Sequence, residues 1–144
     1  MKGTIGEEIN FVVDWLRKQA KGAGARGLLV GISGGIDSAV VAFLIKNAFP
    51  ENSLGVVIPC KSNSLDKEYA NKLIAACNID AMEIDLSDVH SLMMKEIDAH
   101  VQKYNLSEGS KRTTSANLKA RLRMSLLYGI ANRLNYLVVG TDNA

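Results

Sequence analysis

Short apolar runs alternate with segments of helical periodicity along the chain. Four runs bounded by glycine, proline or polar residues predict strands at residues 28–32, 54–58, 81–86 and 136–140. Apolar residues recurring every three or four positions predict helices at residues 5–20, 38–48, 64–77, 88–104 and 115–134. Strands that are apolar along their length are typical of a parallel sheet covered on both faces. The pattern therefore predicts an α/β fold, a doubly wound parallel sheet with helices on both faces.

Local signals refine three of these segments. Thr4 and Glu7 fit a capping box at the start of the first helix. A glycine-rich segment, residues 21–27, reads as a flexible connector to the first strand. The last helix is apolar on most sides, so we expect it to be well covered by other elements.

The predicted sheet also fixes where a ligand should bind. In such sheets ligands bind beyond the carboxyl ends of the strands, where the strand order reverses. The loops that begin at Ser33 and Thr141 follow the first and fourth predicted strands. We therefore expect a ligand site between these loops if the two strands lie side by side.

Length and composition narrow the class of protein. The 144 residues correspond to one ordinary domain, residues 1–144. No apolar run approaches the roughly 20 residues that span a bilayer, and the first residues lack the apolar stretch of a signal peptide. We therefore expect a cytoplasmic protein in which Cys60 and Cys77 are free thiols.

Charge is unevenly distributed, although the net charge is only +2. That small excess does not by itself indicate nucleic-acid binding. Between positions 109 and 141 there is no acidic residue, and six cations occur: Lys111, Arg112, Lys119, Arg121, Arg123 and Arg133. This segment indicates either an anionic ligand or a solvated helix face whose counter-charges lie on other elements.

Residues 22–27 match the dinucleotide fingerprint G-x-G-x-x-G letter for letter. That fingerprint functions when it follows a strand and opens a helix, because the helix N-terminus then faces the pyrophosphate. Here the motif follows a predicted helix and opens a predicted strand. The match is therefore interpreted as a connector rather than a nucleotide site.

The segment GISGGIDSA, residues 31–39, has two interpretations. Its first five residues fit the G-x-S-x-G nucleophile elbow, which would make Ser33 the attacking group of a serine hydrolase. A hydrolase also needs an acid and a histidine after the nucleophile. The only histidines, His90 and His100, fall within one predicted helix and not at the end of a strand. We expect both to be ordinary exposed or half-buried side chains.

The second interpretation is a phosphate-binding loop between a strand and a helix. Gly34 and Gly35 can adopt positive φ, which lets successive N–H groups point into one concavity. The N-terminus of the following helix also favours a phosphate, and Ser33 and Ser38 could add hydroxyl donors. Asp37 would repel a phosphate directly, so its natural role is to hold Mg²⁺.

The hexapeptide Ser33-Gly34-Gly35-Ile36-Asp37-Ser38, preceded by Gly31, resembles the pyrophosphate loop of the N-type ATP pyrophosphatases. These enzymes cleave ATP between the α and β phosphates and adenylate a substrate. Three further stretches, IPCKSNS at 58–64, NLKARLRM at 117–124 and YLVVGTDNA at 136–144, resemble ammonia-dependent NAD synthetases. The resemblance runs in order over essentially the whole chain and implies an adenine-nucleotide α-hydrolase-like fold.

The resemblance implies that nicotinate adenine dinucleotide is amidated by ammonia to NAD through an acyl-adenylate, with ATP as co-substrate and Mg²⁺ as cofactor. Pyrophosphate and AMP are released, and no covalent nucleophile is expected. The residues implied to bind ATP are Gly31, Ile32, Ser33, Gly34, Gly35, Ile36, Asp37, Ser38, Val57, Ile58 and Thr141. Asp37 is implied to bind the metal, and Arg121 the dinucleotide. The family also implies a homodimer, without nucleic acid or membrane as a partner.

The chain departs from the family in one respect. The family carries a second Mg²⁺-binding glutamate, a further strand and a mobile loop over ATP beyond the position of Ala144, where this sequence stops. We therefore expect the chain to represent the N-terminal part of such an enzyme, truncated after the fourth strand, and its own activity stays open.

Other functions also stay open. Another adenylating ATP pyrophosphatase, acting in guanylate synthesis or tRNA modification, would use the same loop. A non-catalytic nucleotide-binding or dimerisation module would bind ATP without releasing pyrophosphate. A serine hydrolase would be revealed by labelling of Ser33 with a fluorophosphonate probe.

Overall fold

The computed structural model of the chain describes residues 4–33, 35–61 and 64–140. Helices and strands alternate along these residues until α4, which is followed directly by a further helix. The elements are α1 (Ile5–Gly22), β1 (Gly27–Ile32), α2 (Ile36–Ala48), β2 (Ser53–Val57), α3 (Ser64–Cys77), β3 (Asp80–Glu83), α4 (Ser87–Val101), α5 (Ser110–Leu134) and β4 (Tyr136–Val138).

The strands described form one parallel sheet in the order β3-β2-β1-β4. Leu29 at the centre of β1 lies opposite Leu54 of β2 and Val138 of β4. Strand order proceeds outward from β1 through β2 to β3 and then reverses to place β4 on the other side of β1. The predicted fold class is confirmed. The first and fourth strands lie side by side, which meets the condition set for a ligand site between the loops that follow them.

The two faces of the sheet carry separate hydrophobic layers, because successive side chains of a strand point to opposite faces. Leu28, Val30 and Ile32 of β1 pack in the layer covered by α1, α2 and α3. Leu29 packs in the opposite layer with Leu127 of α5. The core therefore lies on both sides of β1, and the loop after β1 emerges between two packed layers.

Two glycines permit close approaches beside β1. A Cβ at Gly27 would collide with the backbone carbonyl of Asn52 and the ring of Tyr136. At Gly31 a Cβ would come within 3.2 Å of a Leu127 methyl carbon. These positions therefore let β2, β4 and α5 pack against β1 without a side chain between them.

The end of β3 and the start of α5 differ from their predicted positions. β3 ends at Glu83 rather than at residue 86, although Ile84 and Leu86 still donate backbone hydrogen bonds to Val57 and Pro59. α5 begins at Ser110, five residues earlier than the predicted residue 115. Its extra turn contains Thr114, whose hydroxyl donates to the Ser110 carbonyl at 2.8 Å and so satisfies a polar side chain within the helix.

The expectation that α5 is well covered is wrong. Among its described residues only Leu127 and Ala131 are buried, and Met124 and Tyr128 are 43% and 54% exposed. α5 rests on one face of a four-stranded sheet, and no other layer formed by the described residues covers its outer apolar side chains. None of the described helices combines the length and apolar character needed to cross a bilayer.

The connector before β1 is held in place rather than left flexible. The Asn135 side chain donates to the Gly24 carbonyl at 2.9 Å, and the Arg26 guanidinium donates to the Leu134 carbonyl at 2.7 Å. These bonds occupy carbonyl and amide groups at the end of α5. The glycine-rich segment thus connects α1 to β1, as predicted, and is hydrogen-bonded to the end of α5.

Candidate functional site

The loop between β1 and α2 is organised by two serine side chains. The buried Ser38 hydroxyl donates to the Gly35 carbonyl at 3.1 Å and accepts from the Ser33 amide at 3.3 Å. The Ser33 hydroxyl accepts from the Gly35 amide at 3.3 Å and lies 3.4 Å from the Ser38 hydroxyl. Ser38 therefore uses its hydroxyl proton within the loop, and it fixes the turn from which the α2 helix starts.

The start of α2 has free backbone donors. Gly35 is the N-cap residue and contributes no side-chain cap, and the first amides of a helix have no intrahelical acceptor. Ile36 and Asp37 occupy the first turn and are both exposed. This end of α2 lies at the carboxyl edge of the sheet, where a helix N-terminus favours a phosphate.

The expectation of positive φ is wrong for Gly35. Its φ is −83° and its ψ is 164°, an extended conformation that any residue can adopt. The conformation matches an ordinary N-cap residue, because a helix is normally entered from extended backbone. Gly34 lies outside the described residues.

The other residues implied to bind ATP fall into two groups. Ile32, Val57 and Ile58 are buried, and Ile32 pairs with Val57 in the sheet register, so the ends of β1 and β2 are adjacent. Only backbone groups of these residues could therefore meet a ligand. Thr141 lies outside the described residues, but β4, which precedes it, is confirmed beside β1.

Asp37 has the character of a magnesium ligand. It is an exposed carboxylate in the first turn of α2, and the described residues contain no group of three or more acidic, histidine or cysteine side chains able to enclose a metal. Mg²⁺ is usually bound by one or two carboxylates together with substrate phosphates and water. A single carboxylate beside a helix N-terminus, which favours a phosphate, is compatible with that mode.

The cations in the basic segment of α5 have different surroundings. Arg121 is exposed, as a ligand-binding side chain should be. Arg123 instead donates through Nε to the Ile58 carbonyl at 3.2 Å, and Lys111 pairs with Asp98 at 3.4 Å. The interpretation as a solvated face with counter-charges is thus right for Lys111, whereas Arg121 stays available.

Arg123 is a residue whose role could not be read from the sequence. It stands two positions after Arg121 in the same run of cations, so spacing alone gives no way to separate them. Only the fold shows that it ties α5 to the end of β2.

The serine-hydrolase interpretation lacks its histidine. Ser33 bonds to Ser38 and Gly35, and both histidines lie on α4. His100 is exposed, as expected. For His90 the expectation is wrong, because the ring is 1% exposed and its Nε2 lies 3.0 Å from the Ser115 carbonyl. α4 packs against α5, and this contact covers the His90 ring.

The surroundings shift the pKa of two further ionisable groups, the Cys77 thiol and the Asp85 carboxyl. Cys60 and Cys77 are buried and not joined in a disulfide, which confirms the prediction of free thiols. Burial raises the pKa of the Cys77 thiol above its ordinary value. Hydrogen bonds from the Ser87 hydroxyl and amide lower the pKa of the Asp85 carboxyl.

Comparison with known proteins supports the sequence resemblance. Residues 8–144 match the family model of NAD synthase. The chain is 54% identical to the NH(3)-dependent NAD(+) synthetase of Alkaliphilus oremlandii over 145 aligned positions, which cover 100% of this chain and 58% of the relative. A second NH(3)-dependent NAD(+) synthetase, from Alkaliphilus metalliredigens, is 48% identical over 97% of this chain and 57% of its own length.

Two solved structures share the fold. The NH3-dependent NAD synthetase of Campylobacter jejuni superposes with a TM-score of 0.82 at 32% identity, covering 98% of this chain and 58% of that one. The NMN synthetase of Francisella tularensis superposes with a TM-score of 0.85 at 30% identity, covering 99% and 56%. The chain thus spans just over half the length of the relatives it matches. With the family model matched from residue 8 to residue 144, the chain belongs to the NAD synthase family.

Proposed function

We propose that the chain carries the ATP site of an ammonia-dependent NAD synthetase, which amidates nicotinate adenine dinucleotide. The observation that carries this proposal is the β1–α2 loop. It places an uncapped helix N-terminus and the Asp37 carboxylate beside the point where strand order reverses. Family membership favours ATP as the ligand of that loop.

The proposed reaction has two steps. A carboxylate oxygen of the dinucleotide attacks the α-phosphorus of ATP, and the bond to the bridging oxygen breaks as pyrophosphate leaves. Ammonia then attacks the acyl carbon of the adenylate, loses a proton, and displaces AMP to give the amide. Because both nucleophiles belong to substrates, the chain needs no nucleophile of its own.

The residues of this chain would bind and orient ATP. The free amides of α2 and the loop backbone, from Gly31 to Ser38, favour phosphate oxygens. Backbone groups of Val57 and Ile58, with Thr141, would complete the ATP site. Asp37 would hold Mg²⁺, which when bound neutralises charge on the phosphates. Alignment of the acceptor carboxylate with the α-phosphate then supplies much of the rate enhancement.

The dinucleotide would be held by the basic part of α5. Arg121 is exposed on this helix and can reach an anionic substrate, and a guanidinium suits phosphate and carboxylate groups equally. The uncovered apolar residues Met124 and Tyr128 lie one to two turns beyond Arg121. They favour α5 as the surface through which two copies form the proposed homodimer.

The product of the complete gene that encodes this chain provides the test of function. It is incubated with ATP, Mg²⁺, ammonia and nicotinate adenine dinucleotide, and products are separated by chromatography. NAD and AMP in equal amounts are the expected result. Formation of neither would refute the proposal.

Parallel reactions separate the alternatives. Replacing the dinucleotide by nicotinate mononucleotide tests the activity named for the Francisella relative, and guanylate precursors or tRNA test other adenylating enzymes. Faster pyrophosphate release with one of these would reassign the substrate. ATP binding without any pyrophosphate release would indicate a non-catalytic module.

A further inference from the structure

An open groove of about 1030 Å³ lies between α4 and the first turns of α5. Its lining includes His90 and Lys95 from α4, Lys111, Arg112 and Ser115 from α5, and Lys61 from the segment after β2. None of its lining residues belongs to the loop 31–38, and Arg121 does not line it. We refer to it as the α4–α5 groove.

The groove is strongly positive. Four cations, Lys61, Lys95, Lys111 and Arg112, face one carboxylate, Asp98, which pairs with Lys111 at 3.4 Å. Among the described residues no carboxylate lies within ion-pair distance of the other three cations. This unbalanced charge favours an anionic ligand.

The N-terminus of α5 adds to this field. Gly109 is its N-cap residue and offers no side-chain acceptor, and the first turn holds no acidic side chain. The Ser110 amide donates to the Ser107 carbonyl at 3.3 Å, but the amides of Lys111 and Arg112 have no intrahelical acceptor. The helix of 25 residues also directs the positive end of its dipole to the groove. Lys111 and Arg112 lie in that first turn, where acidic residues are usually preferred. They add positive charge that would attract an anion.

His90 supplies an independent indication of a ligand. Its ring is 1% exposed, and Nε2 lies 3.0 Å from the Ser115 carbonyl. A carbonyl only accepts, so the tautomer with its hydrogen on Nε2 suits this contact, and the Ser115 hydroxyl 3.3 Å from Nε2 can accept from the same hydrogen. That tautomer leaves Nδ1 as an acceptor. Nδ1 is buried and has no hydrogen-bond partner among the described residues. Buried acceptors are normally satisfied, so this one lacks a donor that a ligand can provide.

We propose that the α4–α5 groove binds a phosphorylated sugar or nucleotide. Lys95, Arg112 and the first amides of α5 would hold the phosphate, and a hydroxyl of the sugar would donate to His90 Nδ1. Nδ1 is covered in the free chain, so this contact requires a neighbouring side chain to move. Met94 also lines the groove, and its flexible side chain is suited to such a movement. The proposed ATP and dinucleotide residues take no part, so this site stands independently of the proposed function.

Ribose 5-phosphate is the probe that combines both chemistries. It is titrated into the isotope-labelled 144-residue chain, and amide and imidazole resonances are followed by NMR. We expect saturable shifts at the start of α5 and at His90. Ribose and inorganic phosphate, titrated separately, should each bind more weakly, since each offers only half of the contacts.

Variants test the location of the site. Lys95→Gln combined with Arg112→Gln should weaken binding of ribose 5-phosphate about tenfold. A matched pair outside the groove, Lys18→Gln with Lys103→Gln, should leave it unchanged. His90→Leu fills the buried position with an apolar side chain that cannot accept a hydrogen bond, and it should abolish the preference for ribose 5-phosphate over inorganic phosphate. Circular dichroism shows whether that variant still folds, and the lysine and arginine variants test the site in any case.

Four results would overturn the proposal. The first is no saturable shift at millimolar ribose 5-phosphate. The second is a response confined to residues 31–38, which would place phosphate at the β1–α2 loop instead. The third is equal weakening by the groove pair and by the control pair, which would reduce the effect to net charge. The fourth is equal affinity for ribose 5-phosphate and for inorganic phosphate, which would show that the sugar makes no contact with His90.

Discussion

Ser38 shows how a residue of the loop motif can act through the fold rather than on a ligand. Its side chain is only 2% exposed and bonds to backbone groups of Ser33 and Gly35. Ser33 is more accessible and makes only weak contacts in the same loop. The two serines therefore have different roles, although both belong to one motif.

Replacing Ser38 by alanine should cost about 1–2 kcal/mol of unfolding free energy, because the Gly35 carbonyl and the Ser33 amide lose this partner. Ser33→Ala, on the exposed side of the loop, should cost less than about 0.5 kcal/mol. Urea denaturation of the two variants measures both values. An equal loss in both would contradict the structural role assigned to Ser38.

The raised pKa of the Cys77 thiol makes the free energy of unfolding depend on pH. Burial raises its pKa in the folded chain above the ordinary value of 9.0, so the folded state keeps its proton when the unfolded state loses it. The stabilisation is fully present below pH 9.0 and is lost as pH rises through the raised folded value. Cys77→Ala should therefore lose less stability than the wild type on alkaline titration. Parallel denaturation curves of both proteins at neutral and alkaline pH check this, and identical slopes would contradict it.

At the scale of elements, the end of β2 is held by its neighbours. The Val57 and Pro59 carbonyls accept from the chain after β3, and the Ile58 carbonyl accepts from Arg123 of α5. The segment proposed to contact ATP is thus tied to the helix proposed to contact the dinucleotide. A shift of α5 would be transmitted directly to the Ile58 backbone.

Arg123 and Arg121 form a matched pair for testing this link. Arg123→Met should lower the unfolding free energy by about 1–2 kcal/mol, since the Ile58 carbonyl loses its donor. Arg121→Met, on the exposed side of the same helix, should change it by less than about 0.5 kcal/mol. Thermal denaturation compares the two variants, and the reverse order of effects would show that the roles are misassigned.

At the scale of the whole molecule, the alternation of apolar runs and helical segments was sufficient to predict the parallel sheet. Buried strands such as β1 and β2 are visible in the sequence as apolar runs. The order of the strands then determines the point at which strand order reverses. The short β3 is mostly exposed along its length, so its end depends on irregular hydrogen bonds that no apolar pattern encodes. Coverage of α5 was mispredicted because apolar character alone does not reveal whether a neighbouring layer exists within the chain.

The candidate site likewise has some features that the sequence predicts and others that it does not. The loop motif and its position were predictable because they depend on local sequence and strand order. The burial of His90 and the bond from Arg123 to Ile58 depend on how α4 and α5 pack. Contacts between residues 65 positions apart in the chain leave no local pattern, so only the three-dimensional structure reveals them.

We propose that the β1–α2 loop binds the phosphates of ATP with a metal held by Asp37. Isothermal titration of ATP into the chain, with Mg²⁺ and with EDTA, tests it most directly when repeated with Asp37→Asn. We expect saturable binding that Mg²⁺ strengthens in the wild type, and loss of that strengthening in Asp37→Asn. Binding that is absent, or that responds to Mg²⁺ equally in both proteins, would contradict it.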